Sequence, residues 1–112
     1  MATSEVTHDR WSKRRELEVD VVIHDGKHQP MRGLMINISI GGAYIEMGAP
    51  QPEREAAISL DFKTEIDGEP QYYHMPAKVA HVDETGIGLV FEDYDADTVE
   101  ALKRLMRSVL GQ

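Results

Sequence analysis

Three features of this 112-residue chain predict a mainly β fold closed by one terminal helix. Apolar and polar residues alternate in about six short stretches, tight-turn signals separate most of them, and the spacing becomes helical after Asp95. Short sequential strands of this kind pair as hairpins, which points to a six-stranded antiparallel β-barrel or a sandwich carrying a C-terminal amphipathic helix. The length suits one domain with one core.

Residues 1–9 show no periodicity and read as a flexible N-terminal tail, and residues 10–112 as the domain. Arg10 to Arg15 lead into the first strand, where Leu17, Val19, Val21 and Ile23 alternate with Glu16, Glu18 and Asp20. Asp25-Gly26 predicts a two-residue hairpin turn, in which both central positions take positive φ. The second strand is expected from about His28 to Ile38, with Arg32, Leu34, Ile36 and Ile38 on one face and Met31, Gly33, Met35 and Asn37 on the other. Gly41-Gly42 interrupts the run, and Ala43 to Met47 resumes it.

Pro50 and Pro52 mark a loop, since proline cannot serve a sheet interior. Ala56 to Thr64 reads as the fourth strand, with Ile58, Leu60 and Phe62 on its apolar face, and Asp67-Gly68 is a second hairpin signal. Gln71 to Val82 is a long strand in which Pro76 predicts an edge position or a bulge. Ile87, Leu89 and Phe91 form the closing strand. Asp95 or Asp97 can cap the helix, whose stripe is Val99, Leu102, Leu105, Met106, Val109 and Leu110.

Composition removes several classes of function. The net charge of −8 opposes a nucleic acid polymer, and the aromatic residues are not interleaved with a basic groove. No apolar stretch approaches the ~20 residues of a membrane helix, and the N-terminus is too polar for a signal peptide, so membrane insertion is not expected. The chain has no cysteine, which excludes disulfides, thiolate metal sites and cysteine nucleophiles and makes a reducing, cytoplasmic setting the expectation. No nucleophile, metal motif or phosphate loop frames the acidic run Asp61, Glu65, Asp67 and Glu69, so no enzyme activity is expected. His24 and His28 read as surface histidines flanking a turn, with no metal site.

Against the acidic average, Arg10, Lys13, Arg14 and Arg15 concentrate four of the twelve basic side chains into six residues. The second constellation is Asn37-Ile-Ser39-Ile-Gly41-Gly42. Taken singly, the first reads as solvated charge and the second as a turn in which Asn and Ser bond local backbone. Their order, with 22 residues between Arg14 and Asn37 that form a strand, a turn and a strand, resembles the PilZ domain family. The family pattern is Arg-x-x-x-Arg followed by Asp/Asn-x-Ser-x-x-Gly. Arg10 and Arg14 match its first half, Asn37, Ser39 and Gly42 its second, and the closing strand Gly86–Phe91 agrees.

The resemblance covers about residues 10–110 and implies a six-stranded antiparallel barrel with a C-terminal helix. It also implies binding of cyclic di-GMP, the bacterial second messenger, as ligand with no cofactor, and relay to an effector protein. The side chains suit that ligand. Guanidinium groups bond phosphate oxygens or guanine O6 and N7 in pairs, or stack on the base. Asn37 and Ser39 supply short polar groups, and Gly41 and Gly42 let main chain approach without a Cβ. Arg15 can replace or assist Arg14. His81, before the closing hairpin, is either an ordinary strand histidine or a ring that lies against a guanine, as the resemblance implies. A PilZ-like interaction adaptor that does not bind the nucleotide is the alternative reading.

Overall fold

The computed structural model describes residues 15–92 and 95–109. Strands β1 (Arg15–His24), β2 (Met31–Ile38), β3 (Gly42–Glu46), β4 (Ala57–Ile66), β5 (Glu69–Val82) and β6 (Gly86–Phe91) precede helix α1 (Ala96–Val109). All neighbouring strands are antiparallel, and the order β1-β2-β3-β6-β5-β4 closes through β1 and β4. The fold is therefore a closed barrel and not a sandwich, the closing ladder running from Val21 opposite Phe62 to His24 opposite Ser59.

Alternation fills the barrel. Val21 and Ile23 of β1, Ile58, Leu60 and Phe62 of β4, Tyr73, Met75, Ala77 and Val79 of β5, and Ile87, Leu89 and Phe91 of β6 all point into one core. Phe62 and Tyr73 are cross-strand partners whose rings stack at 4.7 Å between centroids, the offset aromatic pairing that adds to burial. The helical stripe joins the same core, with Leu102, Leu105 and Met106 all buried. The Tyr73 hydroxyl donates to the Ala101 carbonyl at 3.5 Å, tying β5 to the helix. Of the two cap candidates it is Asp95 whose carboxylate accepts the Thr98 amide, at 2.9 Å, the N-cap bond to the third helical residue.

Three expectations need correction. Asp67-Gly68 is a two-residue hairpin turn with φ of 55° and 81°, but Asp25-Gly26 is not. Only Gly26 has positive φ there, β2 begins at Met31, and the Asp25 carboxylate accepts the Lys27 and His28 amides at 2.9 and 2.8 Å. A side-chain acceptor that serves two amides holds a wide loop in place of a tight turn. Pro76 lies at neither an edge nor a bulge. It pairs with Ser59 of β4, its carbonyl accepts the Glu92 amide beyond the end of β6, and the ladder to β6 starts only at Ala77. Its nitrogen, on the same side as that carbonyl, thus faces the end of β6 and costs the β4 ladder no donor.

The two faces of β2 also differ from simple alternation. Met31, Met35 and Ile38 are buried together, because Met35 pairs with Ile45 and Asn37 with the adjacent Tyr44, which leaves Ile36 as an extra residue. One inserted residue reverses which side its successors face, so Ile38 turns inward and Asn37 turns out. A second irregularity lies beside it in β1, between Glu16 and Val19.

Candidate functional site

The expected elbow follows β2 directly. The Ser39 amide donates to the Gly42 carbonyl at 2.8 Å, the Ser39 hydroxyl donates to the same carbonyl at 3.4 Å, and it accepts the Gly41 amide at 3.2 Å. Ser39 is the buried polar side chain of the described residues, so its hydroxyl shapes the turn that carries Asn37. The two glycines differ. A Cβ on Gly41 would meet nothing within 4 Å, whereas one on Gly42 would stand 2.0 Å from the Leu89 carbonyl oxygen. Gly41 leaves the outer surface bare, and Gly42 lets β3 close on β6.

Around this elbow the register builds a wall. Arg15 opens β1 opposite Ile38, and Glu16 is opposite Asn37. Asn37 then pairs with Tyr44, Tyr44 with Gly88 and Gly88 with His81. From Glu16 onward these residues lie on the outer face, which makes one row across β1, β2, β3, β6 and β5. At about 4.8 Å per strand, Asn37 and His81 lie roughly 15 Å apart along it. Arg10 and Arg14 lie outside the described residues.

Where the irregularities of β1 and β2 meet, a groove of about 550 Å³ opens beside Asn37, lined also by Glu16, Glu18, Leu34 and Glu46. This size falls within the range of small-molecule sites, and bulges commonly re-aim side chains at such places.

The far end of the row is organised by Asp83. One of its oxygens accepts the Tyr44 hydroxyl at 2.7 Å, the Thr85 amide and hydroxyl at 2.9 Å each and the Gly86 amide at 3.0 Å. The other oxygen is 3.2 Å from His81 Nε2. The Tyr44 and Thr85 oxygens are 2.6 Å apart. The Tyr44 hydroxyl bond, followed by those from Thr85, holds the Asp83 carboxyl well below the usual carboxylate range, while loss of hydration raises the Tyr44 phenol. Between the two rings Gly88 has no side chain. A Cβ there would stand 3.4 Å from that of His81 and 4.0 Å from the Tyr44 ring.

A carboxyl lowered by folding stabilises the native state fully above its unfolded value of 3.8 and loses that contribution as pH falls through 3.8 toward the folded value. Asp83→Asn is therefore expected to flatten the decline in thermal midpoint between pH 5 and pH 3. An unchanged decline would show that the bonds around Asp83 carry no linkage.

Tyr44, Gly88, Asp83 and Glu16 escaped the sequence reading as site residues. Alternation alone places Tyr44 outward, but nothing local pairs it with His81, which is far away in sequence. The two histidines flanking the first loop have separate partners. His28 Nδ1 meets Asp25 at 2.7 Å, and His24 Nε2 meets Asp61 at 2.9 Å, with His74 on the other oxygen of Asp61. No group of three or more possible ligands that could hold a metal ion occurs among the described residues.

The sequence model of the PilZ domain matches residues 8–108. The chain belongs to the PilZ domain family. No curated protein matches it. Among solved structures, the Bacillus subtilis inhibitor of motility MotI/DgrA is similar with a TM-score of 0.73 at 20% identity, over 88% of this chain and 50% of that one. The chain thus spans half the length of that protein. The PilZ domain of YcgR from Escherichia coli, solved with c-di-GMP, gives 0.70 at 16% identity over 88% and 89% of the two chains. The PilZ domain of CeSA from a cellulose synthesizing bacterium gives 0.65 at 18% identity over 88% and 96%. At these identities the likeness establishes the barrel-and-helix fold of this PilZ domain.

Proposed function

We infer that this PilZ domain is a receptor for cyclic di-GMP that relays the ligand to a partner protein and performs no catalysis of its own. The observation that carries the reading is the continuity of one outer wall. β1 begins at Arg15, opposite Ile38 at the start of the elbow, and from Glu16 beside it Asn37, Tyr44, Gly88 and His81 continue in register. Arg10 and Arg14 precede Arg15 in the basic segment of the sequence. Its guanidinium groups take the phosphates, the groove beside Asn37 takes one base, and His81 and Tyr44 offer ring faces to the other. The solved YcgR PilZ domain, which has the same fold, holds this ligand.

Magnitudes agree with a usable receptor. About four charge-assisted bonds of ~1.5–3 kcal/mol each give roughly 6–12 kcal/mol gross, from which ordering the basic segment subtracts on the order of 1 kcal/mol per residue. A micromolar affinity, about −8 kcal/mol, is reached at the upper end of that range when no more than about four residues of the segment are ordered on binding.

Calorimetric titration of the full chain with cyclic di-GMP is expected to show saturable binding. In a thermal-shift series, cyclic di-GMP is expected to raise the midpoint while linear guanosine nucleotides and single-stranded DNA do not. A folded protein that shows neither heat nor shift with the cyclic ligand is an interaction adaptor and not a receptor.

A further inference from the structure

The groove beside Asn37 is lined by three carboxylates, Glu16, Glu18 and Glu46, an unfavourable lining for the phosphates of a dianionic ligand. It is a favourable lining for hydrogen-bond donors. A guanine presents two adjacent donors on one edge, N1–H and the N2 amine. A carboxylate can accept both at once, whereas an amide offers one oxygen beside a competing NH₂ group. The elbow residue here is Asn37, which cannot supply that pair of acceptors. The side chain directly across from it is Glu16. Outward-facing cross-strand partners have Cβ atoms about 5 Å apart, so the two groups reach a single base edge together.

We propose that Glu16 is a specificity-determining residue of the cyclic dinucleotide site: its carboxylate accepts N1–H and the N2 amine of one guanine while Asn37 bonds the same base from the neighbouring strand. The inference rests on the receptor reading above and deepens it. It divides the ligand between two zones, with phosphates on the arginines and a base edge on the acidic groove. Glu16 therefore weakens general anion attraction at this wall and supplies selectivity in return.

The test compares cyclic di-GMP with cyclic di-IMP, whose hypoxanthine keeps N1–H and lacks the N2 amine. The native chain is expected to prefer cyclic di-GMP by about tenfold, the worth of one charge-assisted hydrogen bond on an exposed wall. Glu16→Gln is expected to reduce that preference to about twofold or less, by weakening cyclic di-GMP more than cyclic di-IMP. Glu65→Gln, on β4 beyond the Ser59–Phe62 stretch that pairs with β1 and outside the groove, is expected to keep the native ratio. Glu16 is exposed, and an unchanged thermal midpoint for its variant separates readout from folding. An unaltered preference in Glu16→Gln, or its loss in Glu46→Gln alone, overturns the assignment while leaving the receptor reading standing. Failure of the native chain to bind either compound removes both.

Discussion

Gly42→Ala is expected to lose more than about 3 kcal/mol of folding stability, and Gly41→Ala, one residue earlier, to change it by no more than about 0.5 kcal/mol. The contrast isolates one physical cause. Neither glycine has positive φ, so backbone strain does not separate them. A Cβ at Gly42 would stand 2.0 Å from the Leu89 oxygen and 3.2 Å from its carbonyl carbon. Both atoms belong to β6, whose ladder with β3 runs from Gly42 opposite Val90 to Glu46 opposite Gly86. Gly86 is in the same position at the other end of that ladder, where a Cβ would stand 2.0 Å from the Ile45 oxygen. The β3–β6 seam is thus closed at both ends by glycines, and relief at either end requires the strands to separate. Against a total stability of about 5–15 kcal/mol, a loss of this size leaves little native protein at physiological temperature. Urea unfolding of the two variants checks it, and equal midpoints for both would show that the seam can shift to accept a methyl group.

The same pair of glycines shows where the sequence was legible and where it was not. Asn37, Ser39 and Gly42 could be picked out as a constellation because they are close in the chain and of turn-forming types. Their division of labour could not, because it depends on β6, some fifty residues away. Ser39 is buried and spends its hydroxyl on the turn, and Gly42 is demanded by Leu89. Strands with strict alternation, such as Ile58, Leu60 and Phe62, were readable from period alone. β2 was not, since the extra residue at Ile36 reverses the alternation and leaves no local mark.

The two Asp-Gly pairs make the same point about turns. Asp67-Gly68 is flanked by strands that pair to their ends, from Ile66 opposite Glu69 onward, and the tight turn forms. Asp25-Gly26 is followed by residues whose amides the Asp25 carboxylate collects, and the chain opens into a loop. Identical dipeptides diverge because the strands beyond them decide how soon pairing resumes. Glu16 carries no local signal for a related reason. In the sequence it is the polar member of an amphipathic strand, and it gains chemical meaning only when register places it across from Asn37.

Arg14→Ala is expected to lower affinity for cyclic di-GMP by roughly 10- to 150-fold, the equivalent of one charge-assisted contact of ~1.5–3 kcal/mol, and Arg10→Ala to lower it by a comparable factor. Thermal midpoints of the unliganded variants should stay at the native value. Arg14→Lys keeps the charge but loses the planar fork that bonds two oxygens together or stacks on a base, so a loss of intermediate size is expected. The native affinity should fall as salt rises, and the Arg14→Ala variant should show a weaker dependence, because one phosphate contact fewer remains to be screened. Arg15 supplies the decisive comparison. It opens β1 opposite Ile38, the residue before Ser39 of the elbow. If Arg15 makes the contact, Arg15→Ala will show the large loss and Arg14→Ala will not. Should Arg10→Ala, Arg14→Ala and Arg15→Ala all bind as the native chain does in calorimetry, the basic segment has no part in recognition. The acidic wall would then have to hold a dianion without a compensating charge, which the repulsion from Glu16, Glu18 and Glu46 opposes.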